Sequence, residues 1–152
     1  MHDDLFERLE HDHAPLSAVL LELGEWFKGP EFDRAALTDK LYALTELVIE
    51  HFGEEEETVF PLLAELAPEA ATSLASLAEG HDAICGLAVR LQAVAARSEL
   101  DVVTMRALFE RLEAAYAAHA QRETALLRGI RKTLSEGNLK ALQAKLQGKK
   151  RH

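Results

Sequence analysis

The chain has little of several things that point to other classes of protein. It has one cysteine, Cys85, in 152 residues, so an internal disulfide is excluded and a reducing compartment is favoured. It has 17 Lys and Arg residues against 26 Asp and Glu residues, and a net charge of −9. Phosphate binding needs a basic face, so nucleic acid is not expected as a partner. No segment approaches the roughly 20 consecutive apolar residues that cross a bilayer, so no membrane partner is expected.

The two ends of the chain are also plain. The first residues, Met1-His2-Asp3-Asp4, are acidic and lack the charged-then-apolar plan of an export signal. The basic tail Lys149-Lys150-Arg151-His152 is typical of a solvated terminus. The expected localisation is therefore cytoplasmic.

Glycine and proline are scarce, at 8 and 4 residues, and Gly29-Pro30, Pro68 and Gly137 fall at the predicted joints between helices. Elsewhere the apolar residues recur every three or four positions, which is the helical period. The pattern predicts helices at about 4–28, 34–66, 69–96 and 101–134, with a short fifth helix at about 139–146. Asp33 is a predicted N-cap of the second helix, and Pro61 predicts a kink or an early end of that helix.

No strand pattern occurs, and four long amphipathic helices with short connections are typical of a bundle. We therefore predict an all-α protein, an up-down-up-down four-helix bundle with a short C-terminal fifth helix. The bundle is expected to occupy residues 1–134 as one domain. Residues 135–152 are expected to form a C-terminal extension with the short helix and the basic tail.

The histidines and glutamates of the chain include a set that repeats at a fixed offset. His13, His51 and Glu55 recur as His81, His119 and Glu123, each 68 positions later. The first and second histidines are 38 positions apart in both halves. Apolar positions follow the same offset: Leu9 with Leu77, Leu16 with Ile84, Leu41 with Phe109, Leu44 with Leu112 and Val59 with Leu127. The chain is therefore read as two copies of one helical hairpin.

All six repeated ligand-type residues lie on the helical stripes that should face the core. Buried imidazole and carboxylate groups are costly unless they are paired or bind a metal. Residues four apart share a helix face, so His51 with Glu55 and His119 with Glu123 can aim at one point. If both glutamates bridge, each of two cations receives two nitrogens and two oxygens. Positions then stay open for a solvent-derived bridge and a small ligand. Iron is the first choice for these donors, and Mn or Zn would suit them too.

The same residues carry a resemblance to a known family. These residues are Asp12-His13, the run from His51 to Pro61, His81, and His119 with Glu123. Through them the chain resembles the hemerythrin-like, or HHE cation-binding, domain family over about residues 5–130. This resemblance implies a cofactor of two iron ions without haem. It also implies a small-molecule ligand, O2, H2O2 or NO.

The chain departs from the classical oxygen-carrying members in two places. Those proteins have a second histidine where Cys85 stands, and they end with a histidine and an aspartate five apart, whereas Glu123 follows His119 at four. The departures argue against simple reversible oxygen carriage. The pattern is closer to bacterial members associated with redox or peroxide handling.

Three hypotheses about function follow. The first is a di-iron protein that binds, senses or reduces a small oxidant, with catalase-like peroxide decomposition as the best enzymatic candidate. The second is a non-enzymatic iron-responsive regulatory or iron-binding module. The third is a helical bundle without a cofactor. The sequence alone leaves the oligomeric state undecided.

Three side-chain roles stay open at this point. Cys85 is interpreted as a weak ligand, a redox-active thiol or a small core residue, and its repeat partner Ser17 favours the last. Tyr116 is interpreted as an ordinary core tyrosine or as a hydrogen-bond donor to a bound oxygen species. Glu54, Glu56 and Glu57 are interpreted as a charged helix face, or one of them as the partner that orients a ligand histidine.

Overall fold

The structure is a computed structural model and describes residues 14–29 and 33–150, with side chains up to residue 145. All regular structure within these residues is helical, which confirms the all-α prediction. The α-helices are α1 (Ala14–Lys28), α2 (Arg34–Glu54), α3 (Phe60–Leu66), α4 (Ala71–Ala95), α5 (Val102–Thr133) and α6 (Glu136–Lys150). A π-helical turn at Glu55–Val59 joins α2 to α3, and a 3₁₀ turn at Pro68–Ala70 precedes α4. Because α2 and α3 form one continuous rod, the described chain has five long helical pieces.

Both long central rods begin at an aspartate. The carboxylate of Asp33 accepts hydrogen bonds from the amides of Ala35 and Ala36, at 3.0 and 3.4 Å. Asp101 accepts from the amide of Thr104 at 3.0 Å and from its hydroxyl at 2.6 Å. These bonds satisfy amides that have no partner within the helix. The predicted cap at Asp33 is confirmed, and Asp101 is its equivalent 68 residues on.

Pro61 affects the helix before it rather than ending it. Proline has no amide hydrogen, and its ring crowds the carbonyl four residues earlier. The π turn ends two residues before Pro61, and the amide of Phe60 donates to the carbonyl of Glu55, five residues back. The wider turn takes up the irregularity, and the rod continues to Leu66. The expected distortion is therefore present, but the early end is not.

The apolar interior consists of two clusters. The larger cluster is built from α1, α2, the later part of α4 and the earlier part of α5. Its buried members are Leu16, Leu20, Leu23, Phe27, Leu37, Leu41, Leu44, Val48, Phe52, Ile84, Leu87, Ala88, Leu91, Val94, Ala95, Met105, Leu108, Phe109, Leu112 and Tyr116. The smaller cluster is built around α3. Its members are Val59, Phe60, Leu62, Leu63, Ala67, Ala70, Leu74, Leu77, Leu127, Ile130 and Leu142.

The helices run between these clusters in alternating order. The rod of α2 and α3 passes from the larger cluster to the smaller one, α4 returns, and α5 passes again to the smaller one. Helix α4 packs against both α2 and α5, and α1 packs against α2 and α5. A side chain near the middle of each long helix therefore lies between the two clusters.

The fifth helix is present and longer than predicted. Helix α6 covers Glu136–Lys150, and its Leu142 is fully buried in the smaller cluster. Lys145 also lies 3.4 Å from the carboxylate of Glu65 on α3. The C-terminal segment thus covers the end of the smaller cluster. None of the helices within 14–29 and 33–150 has the length and apolar character needed to cross a bilayer.

Candidate metal centre

A layer of polar side chains separates the two apolar clusters. This central layer is defined by His51, Glu55, His81, His119 and Glu123. Glu55, His81 and Glu123 are each 1% exposed and His119 is 5% exposed, while the side chain of His51 is 10% exposed. Removing such groups from water is unfavourable unless something in the interior compensates for it.

Three members of the layer bring their donor atoms to one point. One ligand atom each from His51, Glu55 and Glu123 lies within 4.8 Å of the other two. The Nε2 atom of His51 is 3.1 Å from Oε1 of Glu55. His51 lies near the end of α2 and Glu55 opens the π turn, one turn later on the same face. Glu123 reaches the same place from α5.

The remaining two histidines face the same carboxylates. His81 on α4 places Nε2 3.6 Å from Oε1 of Glu55, and His119 on α5 places Nε2 3.6 Å from Oε2 of Glu123. The two rings meet edge to face with centroids 4.7 Å apart. Five of the six residues predicted as ligands therefore lie together in the structure. The sixth, His13, lies outside the described residues.

Burial shifts the protonation of the layer away from the charged forms. Burial raises the pKa of the Glu55 carboxyl far above its usual range, and the neighbouring Glu123 raises it further. Burial also lowers the pKa of His81 to about 4, with His119 nearby as a second cause. Near neutral pH, in the absence of a cation, His81 is therefore neutral and Glu55 is protonated. A neutral imidazole offers a lone pair, which is the form that binds metals.

The hydrogen bonding of the layer tests whether a cation fits it. Neither carboxylate oxygen of Glu55 and neither ring nitrogen of His81 has a well-aligned hydrogen bond within the described part of the chain, although all four atoms are shielded from solvent. Buried polar atoms in proteins nearly always have partners. A cation would satisfy these atoms, and mixed imidazole and carboxylate donors suit iron. The residues present fit a metal site.

Phe52 holds the imidazoles in place from the side of the larger cluster. Its ring stacks on His81 with a centroid distance of 3.7 Å and an angle of 3°. The same ring meets His119 edge to face at 5.4 Å and lies 5.7 Å from His51. One phenyl group therefore restrains three predicted ligands. In the sequence, Phe52 stands out only as part of the family-like run from His51 to Pro61.

Gly80 provides the space for one of these imidazoles. A Cβ atom at residue 80 would lie 3.2 Å from Nδ1 of His119, which is tighter than ordinary packing. The absence of a side chain lets α4 approach the His119 ring closely. Nothing in the sequence pattern singled out this glycine.

Glu56 contacts a predicted ligand from outside the central layer. Its Oε1 atom lies 3.5 Å from Nδ1 of His81, on the side of the ring opposite Glu55. Carboxylates commonly orient metal-binding histidines through the second ring nitrogen. Of the three glutamates for which that role stayed open, Glu56 has the geometry for it.

Cys85 and Tyr116 lie beside the layer, toward the larger cluster. Cys85 is half-buried and packs against that cluster, and burial raises the pKa of its thiol. This placement agrees with the interpretation as a small core residue. Tyr116 is buried, and burial raises its pKa to about 12, with a hydrogen bond from Ser17 acting in the opposite direction. Its phenol therefore keeps its proton at neutral pH.

The fold and the layer define a class: a helical domain with a buried set of imidazole and carboxylate donors for a cation. The sequence model of the hemerythrin HHE cation-binding domain matches residues 4–130. The chain belongs to the hemerythrin HHE cation-binding domain family, which confirms the resemblance. The family is one of cation-binding helical domains. No curated protein and no solved structure matches the chain significantly.

Proposed function

We propose that the chain is a non-haem di-iron protein that binds, senses or reduces a small oxidant at the central layer. The observation that supports this most is the convergence of five donors, four of them buried, between two apolar clusters, with atoms of Glu55 and His81 that lack aligned hydrogen-bond partners among the described residues. A structural bundle has no reason to accept that arrangement. Bound iron would supply redox chemistry toward O2, H2O2 or NO.

The proposed ligands are the six repeated residues, His13, His51, Glu55, His81, His119 and Glu123. The protein would hold the two cations with two carboxylates and four imidazoles. Phe52 and Glu56 would fix the orientation of His81, and Gly80 would give His119 its place. Tyr116 would keep a protonated hydroxyl beside the layer. The larger and smaller clusters would exclude bulk water on either side.

The proposal includes the organisation of the chain. The four long helices would form an up-down-up-down bundle over residues 1–134, in agreement with the alternating order in which α2, α4 and α5 pass the two clusters. Residues 135–152 would be an extension whose helix covers the smaller cluster. A cytoplasmic location stays a prediction.

Iron loading under anaerobic conditions tests the central proposal. We expect two iron ions per chain by elemental analysis, and near-ultraviolet absorption of a coupled ferric pair after exposure to air or peroxide. Fewer than one iron per chain would contradict the proposal. Replacement of His51 or Glu123 by alanine should then lower both metal content and melting temperature. Unchanged values would favour the bundle without a cofactor.

Peroxide consumption by the loaded protein distinguishes a turnover role from a binding role. Catalase-like decomposition converts two molecules of H2O2 into one of O2 and two of water. Oxygen should therefore appear at half the rate at which peroxide disappears. Peroxide loss without oxygen release would instead indicate a peroxidase that needs an external reductant.

A regulatory module is the second candidate, and the cost of the buried layer favours it. Because Glu55 and His81 are buried without aligned hydrogen-bond partners in the described part of the chain, a cation that binds only the folded state would stabilise the fold markedly. Metal occupancy could then act as a conformational signal. An iron-dependent change in partner binding without peroxide turnover would support this candidate over the first.

A further inference from the structure

One acidic side chain links the protein surface to the central layer. Glu56 lies in the π turn, and its side chain is 41% exposed, whereas the side chain of His81 is 2% exposed. Oε1 of Glu56 is 3.5 Å from Nδ1 of His81, and Nε2 of His81 is 3.6 Å from Oε1 of Glu55. Donor atoms therefore follow one another from solvent to the buried carboxylate.

The surroundings of Glu56 are negatively charged. After burial, the charges of Asp82 and Glu57 are the causes that raise the pKa of Glu56. Asp82 and Glu56 together also raise the pKa of Cys85 on the next turn of α4. The charged groups of the described residues that contribute to these two shifts are all acidic. A concentration of like charge raises the local concentration of oppositely charged ions.

The approach to Glu56 is open. A groove of about 310 Å³ runs between α3 and α4, and among the residues that the structure describes Glu56 is the only charged one that lines it. Phe60 lies at the inner side of this groove, with its ring 5.9 Å from that of His81. Apart from Glu56, the wall consists of apolar residues: Phe60, Pro61, Ala64, Ala71, Leu74, Ala75 and Ala78. An ion in the groove therefore meets one carboxylate.

Exposed acidic residues alone are common and indicate little. The distinguishing observation is His81, which is almost fully buried and whose Nδ1 has no aligned hydrogen bond among the described residues. This nitrogen faces Glu56 rather than the layer. A carboxylate and a neutral imidazole at 3.5 Å are a common pair of donors for divalent first-row cations.

We propose that Glu56 and Nδ1 of His81 form a capture site that takes up a divalent first-row cation and delivers it to the central layer. Glu56 supplies the first oxygen, His81 the first nitrogen, and Glu55 the next carboxylate, so protein donors accompany the ion inward. The inference rests on the proposed metal-binding function of the layer. It adds a site and a direction of uptake to that function.

Stopped-flow loading of the metal-free full chain with Co²⁺ tests the capture site. Glu56→Gln removes the charge and keeps the size of the side chain. At about 0.01 M salt we expect its second-order loading rate to fall about tenfold, because one charge acts on a divalent ion at close range. At about 1 M salt the difference should shrink to about twofold. At saturating Co²⁺ the final content should equal that of the wild type, because the amide oxygen of glutamine can still accept a hydrogen bond from Nδ1 of His81 and orient the ring.

Three further variants separate capture from other roles. Glu56→Asp keeps the charge and should load within about threefold of the wild-type rate. Asp82→Asn removes a neighbouring charge without touching His81 and should slow loading about threefold at low salt. Glu50→Gln, an exposed position on α2, is the matched control and should load like the wild type. Circular dichroism of each metal-free variant checks that helicity is kept.

Each outcome decides the proposal. Wild-type loading of Glu56→Gln at low salt would overturn it. So would weaker equilibrium binding of Co²⁺ with an unchanged loading rate, because Glu56 would then only orient His81. If the wild-type chain itself takes up no metal, the proposed function fails and the capture site with it. Normal wild-type loading with an unaffected variant refutes the capture site alone.

Discussion

Glu55 and Glu123 hold equivalent places in the two halves of the chain, yet one lies in a π turn and the other in the uninterrupted helix α5. The sequence supplies a reason. Pro61 follows the first glutamate, and the residue 68 positions after Pro61 is Gly129. Glycine has an amide hydrogen and no ring, so it does not disturb the helix as proline does. The donors are thus repeated while the backbone that presents them is not.

The surroundings of the two halves differ in the same way. Phe52, which stacks on His81, corresponds to Ala120, and Gly80, which makes room for His119, corresponds to Asp12. Helix caps and ligand-type residues follow the offset, but the residues that restrain the rings do not. The comparison indicates that the repeat preserves donors and caps, whereas ring positioning is specific to each half.

The strongest test of the comparison is to remove one carboxylate from each half. Glu55→Ala and Glu123→Ala should each lose at least one of two iron ions per chain. If affinity falls about a thousandfold, the loaded protein loses about 4 kcal/mol of stabilisation, or about 10 °C in melting temperature. Elemental analysis and thermal unfolding measure both effects, with the exposed Glu50→Ala as control. A variant that keeps two ions would show that the halves are not equivalent.

The second test concerns pH and the metal-free protein. The raised pKa of Glu55 means that the folded state holds a proton that the unfolded state releases, so stability falls as pH rises above about 4.5. His81, with its pKa lowered to about 4, has the opposite effect between about 4 and 6.5. Of these two groups, only Glu55 still changes the stability above about pH 6.5.

Denaturant unfolding of the metal-free protein between pH 6.5 and 9 measures this slope. We expect the free energy of unfolding of the wild type to fall by nearly 1.4 kcal/mol per pH unit. This is about the slope for one proton released on unfolding. Glu55→Gln should flatten the slope and stabilise the metal-free protein near neutral pH, while weakening the loaded one. The exposed Glu57→Gln should keep the wild-type slope. Identical slopes for Glu55→Gln and the wild type would refute the assignment.

The third test addresses the stacking that only one half has. Phe52→Leu keeps an apolar side chain but removes the ring that lies 3.7 Å from His81. Since a stacked pair is worth about 1 kcal/mol, metal affinity should fall about fivefold. Phe27→Leu, which disturbs the contact with Phe109 within the larger cluster, should lower stability without lowering affinity. If Phe52→Leu and Phe27→Leu bind the metal with equal affinity, Phe52 acts as a core residue only.

The smallest expected effect comes from two glycines of α4. Gly86 has nothing within 4 Å of a Cβ, so Gly86→Ala should stabilise the helix by about 0.5–1 kcal/mol. Gly80→Ala gains the same helix propensity but pushes against Nδ1 of His119 at 3.2 Å. It should gain less stability and bind metal more weakly, by about threefold. A Gly80→Ala protein that matches Gly86→Ala in both respects would show that the ring moves freely.

The sequence allowed the helices, the cap at Asp33 and the meeting of five donors to be predicted, because each follows from a local pattern or from the offset of 68. It did not allow the π turn to be predicted. Pro61 indicates a distortion there, but the choice between a kink, an early end and a wider turn depends on packing around α3. The restraints on the rings were also missed. Phe52 and Gly80 act through contacts between helices, and single residues of these types look like ordinary core positions.

The fifth helix shows the same limit. Leu139 and Leu142 indicate a helix, and the structure extends it to Glu136–Lys150. Only the three-dimensional arrangement reveals that Leu142 closes the smaller cluster. A comparison of equivalent residues, such as Pro61 with Gly129, is the one sequence signal that could have located the irregular half.

The polar layer has a consequence for how the molecule opens. Without a cation, the two apolar clusters are joined mainly by helices that pass through a region of poorly compensated dipoles. The smaller cluster, closed by α6, is then the weaker cooperative unit, and its amides should exchange with deuterated solvent before those of the larger one. A bound ion would fasten both units together, so that the domain unfolds as a single body.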